Sequence, residues 1–170
     1  MMNSAGDIYR EAHRRSLEDP EQFWLEAADL IDWYRAPKHA FDAGSGPYGR
    51  WFPDGELNTS YNALDRHVLA GHGEDIALIY DSPMVGKVRR YTYAKLLSRV
   101  ARFAHVLADA GIGKGDRVVI YMPMMPQAIV AMLACARLGA VHSVVFGGFA
   151  AKELAVRIDD AKPKVIITAS

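Results

Sequence analysis

The run from Gly115 to Leu154 constrains the fold more than any other part of this sequence. It reads as strand, helix and strand, followed by a double glycine and another helix. A β-branched run at 118–120 leads through two prolines into an apolar helix that stops at Gly139, and a second apolar run follows at 141–145. Parallel strands need a helical crossover of this kind. We therefore predict an α/β fold with a mostly parallel, helix-flanked sheet.

The double glycine marks the first place to look for a ligand. Phe146, Gly147, Gly148 and Phe149 follow the second strand, and ligands of open sheets bind beyond the carboxyl ends of the strands. Two glycines let the backbone approach a ligand and leave amide groups at the positive end of the next helix. Either phenylalanine could stack on a flat ring. Physical reasoning alone supports a tight turn without a ligand equally well.

The remaining elements follow from caps, breakers and periodicity. Predicted helices occupy residues 7–17, the run after Asp19 and Pro20, the run from Thr59 or Ser60 to Ala70, the run from Thr92 to Gly111, and the run that Lys162 and Pro163 break. Residues 76–80 and 88–93 predict an antiparallel hairpin, and 165–167 a buried strand. The segment between Arg35 and Asn58 is rich in proline and glycine, and we expect it to lie over another surface with four aromatic anchors: Phe41, Tyr48, Trp51 and Phe52.

Composition narrows the functional classes. The chain of 170 residues is 51% apolar, enough for the core of one domain or of one domain with a helical extension. Twenty basic residues balance twenty acidic ones, and their mixing along the chain predicts no surface for nucleic acid or for an anionic membrane. No signal peptide is recognisable, and the longest apolar stretch, 128–136, is far short of the roughly 20 residues of a membrane span. We expect a cytoplasmic protein with Cys135 in its core.

Several short motifs favour structural interpretations. The histidines have no metal-ligand spacing with one another or with the cysteine, so no metal site is predicted. No P-loop or nucleophile elbow is present. The glycines at 111–115 form a connector, because they follow a helix and precede a strand. Asp159 and Asp160 suit a solvated helix end. Core filling is a better interpretation than a ligand wall for three methionines: Met122, Met124 and Met125.

Two separated stretches carry a family resemblance. The first runs from Trp51 to His67 and reads WFPDGELNTSYNALDRH; the second runs from Lys114 to Ser170 and contains CARLGAVHSVVFGGFAAKEL. Together they resemble the N-terminal part of the short-chain acyl-CoA synthetases. The resemblance implies a helical cap at 1–66 and, at 67–170, the beginning of an adenylate-forming domain, truncated. Residues 79–83 and the second stretch look more similar to propionyl-CoA synthetase than to acetyl-CoA synthetase.

The resemblance also implies an activity. A carboxylate and ATP, with Mg²⁺, would give an acyl adenylate and pyrophosphate, and the CoA thiol would then displace AMP. Phe146, Gly147 and Gly148 match the family segment that lines the pocket for the nucleotide end of CoA. The phosphate-binding loop, the CoA-binding arginines and the catalytic lysine are expected beyond Ser170, so we assign no catalytic residue and expect a fragment that is inactive alone. We expect the 170 residues to bind CoA weakly or not at all, and no cofactor tightly.

Three alternatives stay open at the level of sequence. An acetate-specific enzyme is one. A stand-alone interaction module, whose aromatic segment at 41–52 docks on a partner, is another. An unrelated doubly wound nucleotide-binding domain is the third, and the missing Gly-x-Gly-x-x-Gly fingerprint counts against it.

Overall fold

The chain forms two compact units, Met1–Leu57 and Asn58–Ser170. We describe them from a computed structural model that covers residues 5–148 and 150–169. Phe149, one of the two predicted stacking rings, lies outside the described residues. None of the described helices is long and apolar enough to cross a membrane.

The first unit begins with two short helices, α1 (Ala5–Glu18) and α2 (Pro20–Ala28). The Asp19 carboxylate accepts a hydrogen bond from the backbone N–H of Gln22, and Pro20 occupies the first helical position. The predicted cap is therefore confirmed. Two-residue strands, β1 (Phe41–Asp42) and β2 (Arg50–Trp51), pair antiparallel within the segment that was predicted to be irregular.

The aromatic segment is packed largely on itself and on α2. Trp51 lies 5.0 Å from Phe41, 6.0 Å from Phe52 and 5.3 Å from Trp24, measured between ring centroids. The expectation that rings anchor this segment is thus confirmed for Phe52 and only in part for Phe41 and Trp51, which contact other rings but are 40% and 52% exposed. It is wrong for Tyr48, which is 91% exposed. Tyr48 lies between glycines 46 and 49, both with positive φ, in a loop that extends beyond the paired strands.

The second unit contains the sheet. Its elements in chain order are β3 (Ile76–Ser82), β4 (Lys87–Thr92), α3 (Tyr93–Asp109), β5 (Arg117–Met122), α4 (Pro126–Leu138), β6 (Val141–Phe146), α5 (Ala151–Ala161) and β7 (Val165–Thr168). Strands β6, β5 and β7 form a three-stranded parallel sheet in that order. The hairpin of β3 and β4 forms an antiparallel sheet of its own. The predicted α/β class is confirmed.

The central strand β5 is buried on both faces. Val118 and Ile120 belong to the core cluster that includes residues of α3 and α4, and Val119 between them is also fully buried. Side chains alternate across a strand, so the two faces must be covered by different elements. The chain reaches β6 through α4 and then passes back over β5 through α5 to reach β7, which places the two crossover helices on opposite faces. This order explains the continuous apolar run in the sequence.

The helix predicted from Thr59 or Ser60 to Ala70 exists but begins differently. Residues 59–72 are helical except at Gly71, whose φ of 91° interrupts the last turn, and the segment has wide π-type turns at Tyr61–Asp65 and Val68–His72. The predicted caps are wrong, because Ser60 makes no capping bond and its buried hydroxyl has no hydrogen-bond partner among the described residues. The side chain of Asn58 accepts the N–H of Tyr61 instead. An asparagine is as good a cap as a serine, and Asn58 also has partners elsewhere that fix its position.

The other helix ends match their sequence signals. Thr92 accepts the N–H of Lys95 and so caps α3. Gly111 and Gly139 follow α3 and α4 in the left-handed region, with φ of 81° and 70°. Lys162 takes the same conformation after α5, at φ 45°, where the following proline prevents the helix from continuing. The predicted breakers are confirmed.

Cys135 lies in the core, as predicted, and this has a measurable consequence. Burial raises the pKa of its thiol to about 11. At pH 8 about one thousandth of the thiol is then ionised, against roughly a quarter for a free cysteine. We expect a thiol reagent such as DTNB to react only through unfolding, so that its rate rises sharply across the denaturant transition. Rapid labelling of the native chain would contradict this placement.

Asp116 couples the start of β5 to the start of β7 and predicts a pH dependence of stability. The Lys164 ammonium, 2.6 Å away, and the N–H of Gly113 lower the pKa of Asp116 below its ordinary 3.8. A lowered pKa stabilises the folded chain fully above the unfolded value, and the contribution is lost as pH falls through the folded value. We expect Asp116→Asn to show a smaller fall in unfolding free energy than the parent between about pH 5 and pH 2. Equal falls in urea titrations would contradict it.

Candidate functional site

The predicted ligand site lies at the carboxyl edge of the parallel sheet. Phe146 ends β6 and pairs in register with Met122 at the end of β5. Gly147 and Gly148 form the turn that follows, and α5 begins at Ala151. The structure therefore places the double glycine beyond the ends of two adjacent strands, which is where ligands of such sheets bind.

The lack of a side chain at Gly147 is explained by packing. A Cβ atom there would lie 2.9 Å from the backbone nitrogen of Pro123 and 3.0 Å from the carbonyl carbon of Met122. These are backbone atoms of the neighbouring strand end, so no rotamer change can make room. Gly147 thus allows the two strand ends to approach closely, and this role needs no ligand.

Gly148 and Phe146, unlike Gly147, form a surface that could contact a ligand. A Cβ atom at Gly148 would lie 2.7 Å from Cε1 of the Phe146 ring, and that ring is 58% exposed. An exposed aromatic face beside bare backbone is a suitable surface for a flat ring. The N-cap of α5, Ala150, makes no side-chain capping bond, so no capping side chain competes with a ligand for the first amides of the helix.

The three methionines at the end of β5 and just after it differ in burial, which separates core filling from a ligand wall. Met122 belongs to the core, as predicted, and is 8% exposed. Met124 is 78% exposed. All three methionines line an apolar cavity of about 240 Å³ between the β3 hairpin strand, the Met-Pro segment and α4. Core filling is thus confirmed for Met122 and, in part, for the half-buried Met125, which packs against the core. It is wrong for Met124.

The motif around Asn58 and Asp65 clamps the end of α4. The amide of Asn58 donates to the carbonyl oxygens of Ala136 and Arg137, at 3.2 and 3.1 Å. Asp65 receives two N–H groups of Arg137 at 2.8–3.0 Å, and the pair is largely shielded from solvent. In the sequence, only the family resemblance marks these residues. A long-range clamp leaves no periodic signal in the sequence, so spacing alone could not have revealed it.

The earlier part of that motif organises the first unit. The Asp54 carboxylate accepts the backbone N–H groups of Lys38 and His39, at 3.1 and 3.4 Å. Gly55 packs against the Trp33 ring, since a Cβ atom there would lie 2.7 Å from it. The motif that carries half of the resemblance is therefore structural in this unit.

No metal centre is evident among residues 5–148 and 150–169, since no group of three or more histidine, cysteine, aspartate or glutamate side chains converges there. His67 packs against the Tyr93 ring at 4.8 Å, and His72 pairs with Asp75 at 2.9 Å. Asp159 and Asp160 are exposed, which confirms the solvated helix end. The glycines at 111–115 connect α3 to β5, as predicted.

Comparison with known proteins agrees with this architecture. Residues 64–170 match the family described as AMP-binding enzyme, and residues 9–63 match the acetyl-coenzyme A synthetase N-terminus. The chain is 57% identical over 162 residues to an uncharacterized protein of Pseudomonas aeruginosa, covering 95% of this chain and 26% of the relative. It is 50% identical over 170 residues to the mitochondrial acyl-CoA synthetase short-chain family member 3 of Homo sapiens, covering 100% and 25%.

A third relative, the acetyl-coenzyme A synthetase of Thiobacillus denitrificans, is 53% identical over 169 residues, with 98% of this chain and 26% of the relative covered. The chain belongs to the AMP-binding enzymes. Within them, its first residues match the N-terminal region of the acetyl-coenzyme A synthetase type, and its named relatives are acetyl-CoA and short-chain acyl-CoA synthetases. The chain spans about a quarter of the length of these relatives.

Proposed function

We propose that this chain is the N-terminal part of an AMP-forming short-chain acyl-CoA ligase. The observation that carries the proposal is the order of the two family matches, 9–63 and 64–170, which follow one another along nearly the whole chain. Residues 1–66 would then serve as a helical cap, and 67–170 as the beginning of the adenylate-forming domain. The named relatives, which are ligases of this kind by their titles, support the same reading.

The chemistry of such a ligase explains its two steps. A carboxylate resists nucleophilic attack because it is negatively charged and has a poor leaving group. Transfer of AMP from ATP neutralises that charge and supplies a good leaving group, and a bound Mg²⁺ would stabilise the charge that develops on phosphorus. The CoA thiol then forms the thioester and releases AMP. The described residues supply the edge of a nucleotide pocket and scaffold; no catalytic side chain is assigned to them.

Phe146, Gly147 and Gly148 are proposed to line the pocket for the nucleotide end of CoA. Their position beyond the strand ends and the exposure of the Phe146 ring support this role. Since Gly147 is already explained by packing, the ring and Gly148 would make the contact. We expect this pocket in the 170-residue chain alone to bind CoA weakly or not at all. Tight CoA binding in calorimetry that Phe146→Ala abolishes would contradict the idea that other parts of the enzyme supply the phosphate contacts.

Propionate is the proposed substrate, with acetate as the alternative. The resemblance of 79–83 and of the second stretch favours propionate, whereas an acetate-named relative shares 53% of the aligned residues. A methylene group is worth only about 1–3 kcal/mol in a hydrophobic pocket, so the preference depends on pocket shape. A cytoplasmic location stays a prediction, and the human relative is mitochondrial by name.

One assay tests the function and the substrate together. The full reading frame that contains these residues is expressed, and pyrophosphate release from ATP is measured with acetate, propionate and butyrate, with and without CoA. We expect AMP and pyrophosphate as products and the highest kcat/KM with propionate. Faster turnover with acetate would contradict the proposed preference for propionate but would still support the proposed ligase activity. No carboxylate-dependent pyrophosphate release would refute the ligase itself and favour the interaction module, whose aromatic segment at 41–52 would dock on a partner.

A further inference from the structure

The strongest feature outside the proposed CoA pocket is a basic cavity on the second unit. Strand β4 and helix α3 line a cavity of about 700 Å³ with five cationic side chains and no carboxylate: Arg89, Arg90, Lys95, Arg99 and Arg102. We call this set the basic cluster. All five side chains belong to exposed residues. The expectation that charges are mixed along the chain is wrong here, because residues 82–108 contain no aspartate or glutamate. Strand β4 and helix α3 bring the basic residues of this stretch to one cavity.

The basic cluster differs from most of the other arginines of the chain. Six arginines elsewhere each pair with a carboxylate: Arg10, Arg14, Arg15, Arg35, Arg137 and Arg157. In the part of the chain that the structure describes, no member of the basic cluster has such a partner. Like charges spaced three or four residues apart on a helix repel, and a cation in the first turn opposes the helix dipole. A bound anion would relieve these small repulsions.

The geometry of the basic cluster prepares it for a multivalent anion. The Arg99 guanidinium lies over the ring of the buried Tyr91, 5.0 Å from its centroid. A guanidinium over a ring face keeps its edge donors available for oxygen atoms. Arg102 is tethered by a hydrogen bond from Nε to the carbonyl oxygen of Ser98. Two oriented forks beside three further cations suit phosphate oxygens, which arginine binds in bidentate fashion.

A second cavity suggests what the phosphates are attached to. It has a volume of about 460 Å³, shares Arg99 and Arg102 with the first, and is otherwise lined by Phe103, Val106, Gln127 and Val130. A ring or an apolar chain would pack there while its phosphate groups occupy the basic cluster. Each of the two volumes lies within the range of small-molecule sites, which is about 300–1,000 Å³.

We propose that the basic cluster is a binding site for a ligand that carries two or more phosphate groups next to a ring or apolar portion. A free nucleotide and a phosphorylated lipid headgroup share this chemistry. The site has none of its lining residues in common with Phe146, Gly147 and Gly148. All of its lining residues belong to the second unit.

Binding of inorganic triphosphate to the 170-residue chain, measured by calorimetry, tests the site without a nucleotide base. We expect Arg99→Gln/Arg102→Gln to weaken binding about tenfold or more for each arginine removed, since each loses charge-assisted hydrogen bonds. The double variant Arg89→Gln/Lys95→Gln removes one cation from β4 and one from α3, and it should also weaken triphosphate binding. The matched control is Arg50→Gln, an exposed arginine of the first unit that should leave binding unchanged. Circular dichroism verifies that each variant is folded.

Two further arms identify the source of the phosphates. Vesicles of phosphatidylcholine with about one-twentieth phosphatidylinositol 4,5-bisphosphate, if bound and then displaced by triphosphate, would indicate the lipid headgroup. Binding of triphosphate and ATP without vesicle binding would indicate a free polyphosphate ligand. The proposal fails if triphosphate does not bind, if the two double variants lose no more affinity than Arg50→Gln, or if vesicles bind and triphosphate does not displace them.

Discussion

Replacing Gly147 by alanine is expected to lower the free energy of unfolding by about 1–3 kcal/mol, the usual cost of an inserted group in a packed site. The added Cβ atom would lie 2.9 Å from the nitrogen of Pro123 and 3.0 Å from the carbonyl carbon of Met122. Both atoms belong to the backbone at the end of β5, so the ends of β5 and β6 must separate to admit the methyl group. Urea titration followed by circular dichroism measures the loss.

Two other glycines serve as controls for this substitution. The three atoms nearest to a Cβ at Gly148 all belong to the Phe146 ring, a side chain that is 58% exposed, so we expect Gly148→Ala to cost less than about 1 kcal/mol. At Gly113 a Cβ atom would have nothing closer than 4.0 Å, and alanine should be neutral or stabilise the chain by up to about 1 kcal/mol. Equal stability of Gly147→Ala and Gly113→Ala would contradict the close approach of the two strand ends.

The contrast between Gly147 and Gly148 also separates structure from function within one motif. If the pocket proposal is correct, Gly148→Ala in the full-length ligase should raise the KM for CoA without a comparable loss of stability, because a ring displaced by the methyl group no longer offers the same face. In Gly147→Ala, by contrast, the main effect should be a lower free energy of unfolding. The two glycines are adjacent and chemically identical, and only their neighbours in space distinguish them.

Local signals in the sequence predicted most of the fold. The apolar run of β5, the caps Asp19 and Thr92, and the breakers Gly111 and Gly139 each act through neighbouring residues, and the structure has them where they were expected. The predicted cap of the 59–72 helix was wrong because three adjacent residues, 58–60, are all of types that cap helices. Asn58 is the cap, and its side chain also bonds to the end of α4, 78 and 79 residues further along the chain. No rule that considers only neighbouring residues predicts such bonds.

The candidate sites depended even more on long-range geometry. The double glycine was visible because its chemistry lies within one turn. The basic cluster was missed, although Lys95, Arg99 and Arg102 have the spacing of one helix face. What the sequence could not show is that Arg89 and Arg90 on β4 join that face. The charge segregation itself is visible in the sequence, because residues 82–108 contain six lysines and arginines and no aspartate or glutamate.

Arg137→Ala is expected to cost about 2–3 kcal/mol of unfolding free energy, somewhat less than the loss of one partner of a fully buried ion pair. The guanidinium makes three hydrogen bonds to Asp65 at 2.8–3.0 Å. The Asp65 side chain is 16% exposed and that of Arg137 33% exposed. Removing the arginine leaves a carboxylate that is poorly hydrated and has lost its cation, while the 33% exposure of Arg137 moderates the penalty.

The matched control is Arg157→Ala, which breaks the exposed ion pair with Glu153 on α5. An exposed pair four residues apart on a helix contributes only about 0.3–0.5 kcal/mol, so the two alanine variants should differ by well over 1 kcal/mol in urea titrations. Asp65→Asn/Arg137→Ala should recover part of the loss, because the uncompensated charge is then gone. Equal stability of the Arg137 and Arg157 variants would show that the Asp65 clamp does not hold α4 in place.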